Sequence, residues 1–306
     1  MPHDFNYKEL DWEQYALHRP AYPAQLYDLV CEYHQSHGGV FDSALDIGGG
    51  IGIIARDFLL KKFKRATLSD PSDDYISQAK LALASYASSK QLSFVKSKIE
   101  DMRPSDLPNG PVDLLTAGTS LHWADPLRIT PSAAQLLKSG GTFSAWAYGV
   151  QPQFADSFPA VKPAWSKLFE RMFAIYEEKL GKLTEEGPTA NSNARFDNIP
   201  FNPKEWTNVR RIQVMPEVDM LDIDLNIPAA DKRVLPEVES QEVLENNDFV
   251  MRTVDHTWIV GYLRSVVPFV NVEEELAPEL KELKSLLGDK EYQLRWPFAI
   301  VLATRR

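Results

Sequence analysis

Cysteine is nearly absent from this sequence, since Cys31 is the only one among 306 residues. One thiol cannot form an internal disulfide framework or a site with several cysteine ligands. Histidine is also scarce, and the pairings that place two metal ligands on one helix face, such as His-x-x-x-His, are missing. The six histidines are His3, His18, His34, His37, His122 and His256. We therefore expect no metal site.

Long hydrophobic runs are missing as well. No stretch reaches the roughly 18 to 20 apolar residues of a membrane span, and the polar, acidic start MPHDFNYKELDWEQY lacks the apolar centre of a signal peptide.

Basic residues are fewer than acidic ones, with 33 Lys and Arg against 43 Asp and Glu, which gives a net charge of −10. Such a surface does not attract a phosphate backbone. We expect a soluble, cytoplasmic protein that binds no nucleic acid, and its oligomeric state stays open.

Strand-like and helix-like stretches alternate from Ser43 to about Tyr148, beginning with SALDI and the helical IIARDFLLKKF. This alternation predicts an α/β fold with a doubly wound, mostly parallel sheet that is covered on both faces. Two later strands, VRRIQVMPEV and WPFAIVLATRR, would bring the sheet to seven strands. The composition, 44% hydrophobic and 11% aromatic, is sufficient for a large core.

The chain divides by pattern into four parts. We predict an N-terminal lid segment over residues 1–40, a ligand-binding core over 41–150, a helical cap and loop insertion over 151–205, and the remaining core strands with substrate-side elements over 206–306. Within the cap, GKLTEEGPTANSNARFDNIP is predicted to be a mobile loop. The acidic run EVESQEVLENND is predicted to be a solvated loop.

The string ALDIGGGIG is the most informative motif. Its glycines Gly48, Gly50 and Gly52 follow a buried strand and allow a sharp turn with close approach to a ligand. The next strand ends at Asp70, near the spacing of about 20 residues at which a carboxylate binds ribose hydroxyls. The turn therefore predicts a nucleoside site, although a glycine turn that only packs the sheet would have the same sequence.

Two residues decide which nucleoside fits. A dinucleotide fingerprint requires a third glycine at the position of Ile53. Asp46 stands where it would repel a pyrophosphate but would attract a cation. S-adenosylmethionine carries an ammonium and a sulfonium group and no phosphate, so we predict it as the cofactor. An NAD-dependent reductase is disfavoured by the same two residues.

The motifs together resemble those of the class I S-adenosylmethionine-dependent methyltransferases, and within them the fungal trans-aconitate methyltransferase group. The segments that carry the resemblance are YALHRPAYP, ALDIGGGIG, LSDPS, SLHWAD, LLKSGGTFSAWAY and VGYLRS. The general motifs are typical of the whole superfamily, whereas the N-terminal segment and the His-Trp turn are typical of the group. The resemblance implies a Rossmann-like core with a helical cap.

The resemblance also implies roles for individual residues. It places His122 at the methyl-transfer face, either as a base for a hydroxyl acceptor or as a residue that orients Trp123 or binds a backbone carbonyl. The implied cofactor contacts are Tyr15, Arg19, Asp46, Gly48, Gly49, Gly50, Asp70, Pro71, Ile99, Glu100, Thr119 and Trp123. The candidate substrate contacts are Trp146, Tyr148, Phe173 and Arg264, each of which could instead pack the core or lie on the surface.

Some positions depart from the family pattern. Gly49 stands where relatives have cysteine, alanine or serine, and Lys98 replaces an acidic residue that often binds adenine. The late helix continues as Val266-Val267-Pro268-Phe269 in place of a polar and aromatic edge, and the proline should end it early. We therefore do not expect trans-aconitate itself as the acceptor.

These observations predict a methyltransferase that acts on a small, hydrophobic or carboxylate-bearing molecule by in-line transfer of the methyl group. The resemblance implies that the acceptor is an oxygen atom and that the molecule belongs to secondary metabolism. Two alternatives keep the fold and the cofactor. In one, the bound S-adenosylmethionine assists a cyclisation or rearrangement without methyl transfer. In the other, the protein binds the cofactor and catalyses nothing.

Overall fold

The computed structural model describes residues 12–88, 91–155, 159–180, 187–221 and 231–306. The helices are α1 (Trp12–His18), α2 (Ala24–Ser36), α3 (Leu60–Lys62, after a π-helical turn Ala55–Leu59), α4 (Asp73–Ala82), α5 (Ala84–Ser88), α6 (Pro126–Leu136), α7 (Val161–Leu180), α8 (Pro188–Asn193), α9 (His256–Val266), α10 (Val272–Glu275) and α11 (Ala277–Leu287). The strands are β1 (Ser43–Ile47), β2 (Arg65–Asp70), β3 (Leu92–Lys96), β4 (Val112–Gly118), β5 (Leu137–Tyr148), β6 (Gln153–Phe154), β7 (Trp206–Val214), β8 (Glu239–Val243), β9 (Met251–Val254), β10 (Tyr292–Arg295) and β11 (Phe298–Arg305).

The central sheet has the order β3-β2-β1-β4-β5-β11-β7-β8. Strands β1 to β5 are parallel to their neighbours, β11 runs antiparallel to β5 and β7, and β8 is parallel to β7. The predicted doubly wound, mostly parallel sheet is thus confirmed, with a helical layer on each face. It contains one strand more than the seven that we predicted.

The eighth strand, β8, lies within the acidic run that we predicted to be a solvated loop, and that prediction is wrong for Glu239–Val243. The reason is a buried ion pair: Nε of Arg211 donates to Oε2 of Glu239 at 2.6 Å, and neither side chain is accessible to solvent. The same guanidinium donates to the carbonyl oxygens of Phe196 and Ile199. Glu239 therefore neutralises a cation that the fold has buried, and it fixes β8 against β7.

The prediction of a mobile loop in the cap is also wrong for residues 188–193, which are helical, while residues 194–200 form turns and residues 181–186 lie outside the described residues. Residues 188–193 form α8, and the side chain of Ala190 is fully buried. The amide of Asn191 donates to the carbonyl oxygen of His122 at 3.0 Å and accepts from Asn198 at 2.8 Å. Polar residues that looked typical of a loop instead connect α8 to the end of β4.

A second, smaller sheet of order β6-β10-β9 lies beside the cap helices. Helix α7 packs against α11, and α9 follows β9 directly, with Asp255 as the N-cap that accepts from the amide of Trp258. Helix α9 ends at Val266, as expected from Pro268. Among the helices that the described ranges contain, none has both the length and the apolar character needed to cross a bilayer.

The N-terminal helix α1 lies on α9. The imidazole of His18 covers Gly261 so closely that a β-carbon there would come within 2.2 Å of the ring. At the other end of α1, the ring of Trp12 contacts Tyr75 of α4 edge to face, with centroids 4.9 Å apart. Helix α1 therefore connects α9 with the segment that follows β2.

Candidate functional site

The site lies where the direction of chain winding reverses. Strand β1 has β2 on one side and β4 on the other, and the carboxyl ends of these parallel strands share one edge of the sheet. Ligands of open α/β sheets bind in the crevice outside such a switch point. The hydroxyl of Ser120, just after β4, donates to the carbonyl oxygen of Ile47 at 2.9 Å, so the two strand ends are tied together.

The glycine turn after β1 requires glycine for two different reasons. Gly48 has φ +61°, and a β-carbon there would lie 2.5 Å from that of Ser120. Gly49 has no left-handed φ, but a β-carbon there would lie 2.6 Å from Cγ of Leu68 and 2.8 Å from Oδ2 of Asp46. The side chain of Leu68 thus occupies the space that a β-carbon at position 49 would need.

Asp70 ends β2 and supports the turn. Its Oδ2 accepts from the amide of Gly50 at 3.0 Å, and its Oδ1 accepts from the amide of Ser72 at 2.9 Å. Burial raises the pKa of Asp70 to about 6, although both amide hydrogen bonds favour the charged form. A carboxylate has about four acceptor positions, so each oxygen can still bind one ligand hydroxyl. Pro71 follows, half-buried, at the start of the segment leading to α4.

Asp46 lies inside the sheet edge and is fully buried. Its Oδ1 accepts from the hydroxyl of Thr116 at 2.9 Å, whereas Oδ2 has no hydrogen-bond partner among the described residues. Burial raises the pKa of Asp46 to about 7. A buried carboxylate oxygen without a donor is costly, and a cationic donor on a ligand would relieve that cost. The cofactor expected from the sequence carries such a group, so this residue fits it.

Arg19 connects the N-terminal segment to the end of β5. Its Nη1 donates to the hydroxyl of Tyr148 at 3.3 Å, and its Nη2 donates to the carbonyl oxygen of Ser265 at 2.6 Å. The guanidinium carbon lies 4.9 Å from the ring centre of Tyr15. Nε is buried without a partner in the described part of the chain. Arg19 is therefore a fixed, partly buried cation with a donor left over.

An aromatic wall lines the ends of β4 and β5. The hydroxyl of Tyr22 donates to Oγ1 of Thr119 at 3.1 Å, and the ring of Tyr22 contacts Trp146 edge to face. Thr119 has φ +50°, an unusual conformation for a β-branched residue. Its amide donates to the carbonyl oxygen of Trp146 at 2.7 Å. Backbone strain of this kind costs about 1–3 kcal/mol and concentrates at functional sites.

His122 and Trp123 lie in the short 3₁₀ turn that follows β4. Burial, and secondarily the charge of Arg19, lowers the pKa of His122 to about 4. The imidazole is therefore neutral near pH 7 and a weak base. The indole of Trp123 is 40% exposed, and its ring centroid lies 5.2 Å from that of His122. The turn thus presents a neutral imidazole and an open aromatic surface at the same edge.

Several predicted site residues lie elsewhere or have other partners. Phe173 is 5% exposed within the core of α7 and contacts Tyr176. Oε1 of Glu100 accepts from the amide of Asp125, the N-cap of α6, and Ile99 is buried in the adjoining core. Arg264 forms an ion pair with Glu273 of α10. Trp146 is fully buried and packs the sheet.

Sequence reasoning missed three contributors to the site. Tyr22 lies within the quoted segment YALHRPAYP, so the signal was present and only its partner Thr119 was unknown. Ser120 and Ser265 contribute through a hydroxyl and a backbone carbonyl, respectively. No sequence pattern marks such a contribution, because a backbone carbonyl exists at every residue.

Comparison with known proteins identifies the core. Residues 45–145 match the family described as "Methyltransferase domain". The chain is 25% identical to methyltransferase pgmE of Aspergillus terreus over 98% of this chain and 94% of that one. It is 28% identical to a methyltransferase of Claviceps purpurea, over 96% and 91% of the two chains. The relatives thus match nearly the whole length.

A solved structure shares the fold. A candidate type II methyltransferase from Anaeromyxobacter dehalogenans superposes with a TM-score of 0.58 at 19% identity, over 94% of this chain and 97% of that chain. At this identity, the likeness concerns the fold alone. The superposition extends beyond residues 45–145.

Proposed function

We propose that the chain is a class I S-adenosylmethionine-dependent methyltransferase, with S-adenosylmethionine as its cofactor, and that it methylates an oxygen atom of a small molecule; the matched domain, the methyltransferase relatives and the shared fold support this. The acceptor is hydrophobic or bears a carboxylate, and its place is in secondary metabolism. The observation that carries this proposal is the pairing of a fixed cation, Arg19, with a neutral imidazole, His122, at one edge of the sheet.

The described residues offer a binding role for each part of the cofactor. Bound S-adenosylmethionine supplies a methyl group on a sulfonium, which is electrophilic without further activation. Asp46 would accept a hydrogen bond from the ammonium group through its unpaired Oδ2. Asp70 would accept from the ribose hydroxyls through its remaining lone pairs, while its bonds to Gly50 and Ser72 keep the turn in place.

The further cofactor contacts remain proposals from the sequence. We propose that Tyr15 and Arg19 close over the cofactor, and that Thr119 and Trp123 border it from the side of β4. The position of α1 between α9 and Tyr75 supports this. We likewise propose the division into an N-terminal lid over 1–40, a core over 41–150, a cap over 151–205 and a substrate-side part over 206–306.

The state of His122 supports an acidic acceptor oxygen. A base with a pKa of about 4 removes a proton poorly from an alcohol of high pKa. A carboxylate is already ionised at neutral pH and needs only positioning, which a guanidinium provides. For a hydroxyl acceptor, the neutral imidazole of His122 would accept a hydrogen bond and orient the oxygen. The remaining requirement is in-line placement, about 3 Å from the methyl carbon.

The experiment is a label-transfer screen. Purified protein, S-adenosylmethionine labelled in its methyl group, and a panel of aromatic and aliphatic carboxylic acids and acidic phenols are incubated together. We expect label in an organic extract, released by mild base when the product is a methyl ester and retained when it is an ether. Consumption of an acceptor without labelled product and without S-adenosylhomocysteine would contradict the proposal and favour a rearrangement assisted by the cofactor.

A further inference from the structure

A cleft of about 270 Å³ opens between α1 and the segment from α9 to α10. Its apolar side consists of Pro268, Val270 and Val272, the last two of them buried. The volume lies just below the usual range for small-molecule sites, about 300–1,000 Å³. The cleft can therefore hold one or two fused rings or a short chain.

The cleft adjoins the candidate active site through Arg19. Two of its lining residues, Tyr15 and Ser265, are the residues that hold this guanidinium from the cleft side. On its other side, Arg19 donates to the hydroxyl of Tyr148 at the end of β5. Arg19 thus contacts both lining residues of the cleft and the strand end beside which the methyl group would be transferred.

The rim of the cleft carries an ion pair that a ligand can exchange. Arg264 and Glu273 both line the cleft, and their side chains are 54% and 47% exposed. An exposed pair of this kind contributes little to stability, because water screens the attraction and ordering two long side chains costs entropy. An anionic group on a ligand can therefore replace the carboxylate of Glu273 at little cost.

We propose that this cleft holds the non-reacting end of the acceptor, and that this end is an apolar ring or short chain with an anionic group that binds Arg264 in place of Glu273. The inference rests on the proposed function, since it assumes an acceptor that reacts beside Arg19. It assigns to Pro268 and Val270 the contacts with the apolar part of the ligand, and to Arg264 the choice between anionic and neutral molecules.

The test measures binding, not turnover. The probe is 2-naphthoate, which has two fused rings and one carboxylate, and its neutral counterpart is 2-naphthamide. Each is titrated into the full chain by calorimetry, and the carboxylate by ligand-observed NMR as well. We expect Arg264→Gln to lower the affinity for 2-naphthoate about tenfold and to change the affinity for 2-naphthamide by no more than about twofold. Glu273→Gln should tighten 2-naphthoate several-fold, because it removes the competing carboxylate.

Two further variants locate the probe. Asn271 is exposed and lines the cleft, so Asn271→Trp should fill the opening and abolish binding of both probes without disturbing the core. Arg171→Gln is the matched control, because it removes an arginine from a similar exposed ion pair with Glu178 on α7. It should leave the affinities for both probes unchanged. The proposal is overturned if Asn271→Trp still binds 2-naphthoate, or if Arg264→Gln binds it with the affinity of the wild type. It is also overturned if the wild type shows no binding at about 1 mM 2-naphthoate.

Titration with S-adenosylhomocysteine separates the two possible failures. All four variants should bind it with the affinity of the wild type, since none of these residues contacts Asp46 or Asp70. Normal binding of S-adenosylhomocysteine without a 2-naphthoate site refutes only the cleft. Failure of the wild type to bind either molecule refutes the proposed function as well.

Discussion

Arg19 donates from Nη1 to the hydroxyl of Tyr148, a residue 129 positions further along the chain, and thereby holds the N-terminal segment at the end of β5. Its second donor, Nη2, binds the carbonyl oxygen of Ser265 at the end of α9. One side chain thus connects the N-terminal segment, the sheet and helix α9, so three distant regions of the sequence meet at the guanidinium.

Replacing Arg19 by lysine should weaken the cofactor site. Lysine keeps the charge but lacks the planar fork that reaches Tyr148 and Ser265 together. We expect Arg19→Lys to lower the affinity for S-adenosylhomocysteine about tenfold in a calorimetric titration. Arg56→Lys, at an exposed pair with the adjacent Asp57, serves as the matched control and should have no effect. Equal affinities in both variants would mean that Arg19 does not touch the site.

The two buried carboxyl groups should make a contribution to the stability of the ligand-free protein that falls as pH rises from about 4 to 7. Burial raises the pKa values of Asp46 and Asp70 to about 7 and about 6, so at these two residues the folded state binds more protons than the unfolded state in this window, opposite in sign to the contribution of His122. The stabilising contribution of the two protonated carboxyl groups is complete below their unfolded-state pKa of about 4. It is lost as the pH rises through their folded-state pKa values. Thermal unfolding at several pH values measures it.

Asp46→Asn should reduce that pH dependence. The variant has no proton to lose at position 46, so its melting temperature should fall less between pH 5 and pH 8 than that of the wild type. A hydrogen bond from Arg56 lowers the pKa of Asp57, so Asp57→Asn should shift the melting temperature equally at both pH values. An unchanged slope in Asp46→Asn would contradict the assignment of the buried carboxyl group.

His122 should stay neutral throughout the physiological range. Burial and the nearby charge of Arg19 lower its pKa to about 4, whereas the unfolded chain takes up the proton near pH 6.5. The ring signals of His122, assigned by comparison with His122→Gln, should therefore not shift between pH 5.5 and about 8.5 in NMR spectra. A titration midpoint near 6.5 would show an exposed imidazole and restore a role as general base.

The buried pair Arg211–Glu239 should matter for stability and not for cofactor binding. Glu239→Gln removes the nearer carboxylate of the buried Arg211 and leaves only Asp197, 4.0 Å away, as a counter-charge, so the variant should cost up to the roughly 3–5 kcal/mol typical of breaking a buried pair. Glu242→Gln removes a partner from an exposed pair on the same strand, with Arg210, and should cost less than about 1 kcal/mol. Urea denaturation measures both. Equal effects would contradict the burial of Glu239.

The sequence predicted those parts of the fold that depend on local pattern. Apolar strands, the glycine turn and the stop at Pro268 are encoded within a few neighbouring residues. The eighth strand was not predictable in this way. Burial of the Glu239 carboxylate requires the ion pair with Arg211, which lies 28 positions earlier in the sequence. The same limit applies to α8, whose asparagine contacts the turn after β4.

For the site, the sequence predicted the residues better than their partners. Asp46, Asp70 and Arg19 do lie at the carboxyl ends of the strands, with His122 nearby. Asp70 accepts hydrogen bonds from the amides of Gly50 and Ser72, which leaves fewer of its lone pairs for a ligand. These bonds depend on the geometry of the turn and cannot be predicted from sequence spacing. The buried position of Phe173 depends on how α7 packs, and an amphipathic pattern does not say which neighbour covers a given face.

The most direct test of the account is a calorimetric titration of S-adenosylhomocysteine into the wild type and into Asp70→Asn, with the wild type first shown by mass spectrometry to carry no bound cofactor. The asparagine oxygen can replace only one of the two amide contacts and offers fewer acceptor positions to the ribose. We predict micromolar binding by the wild type and about 10- to 100-fold weaker binding by a variant whose circular dichroism remains that of the folded protein. Equal binding by the two proteins, or none by the wild type, would contradict the cofactor site described above.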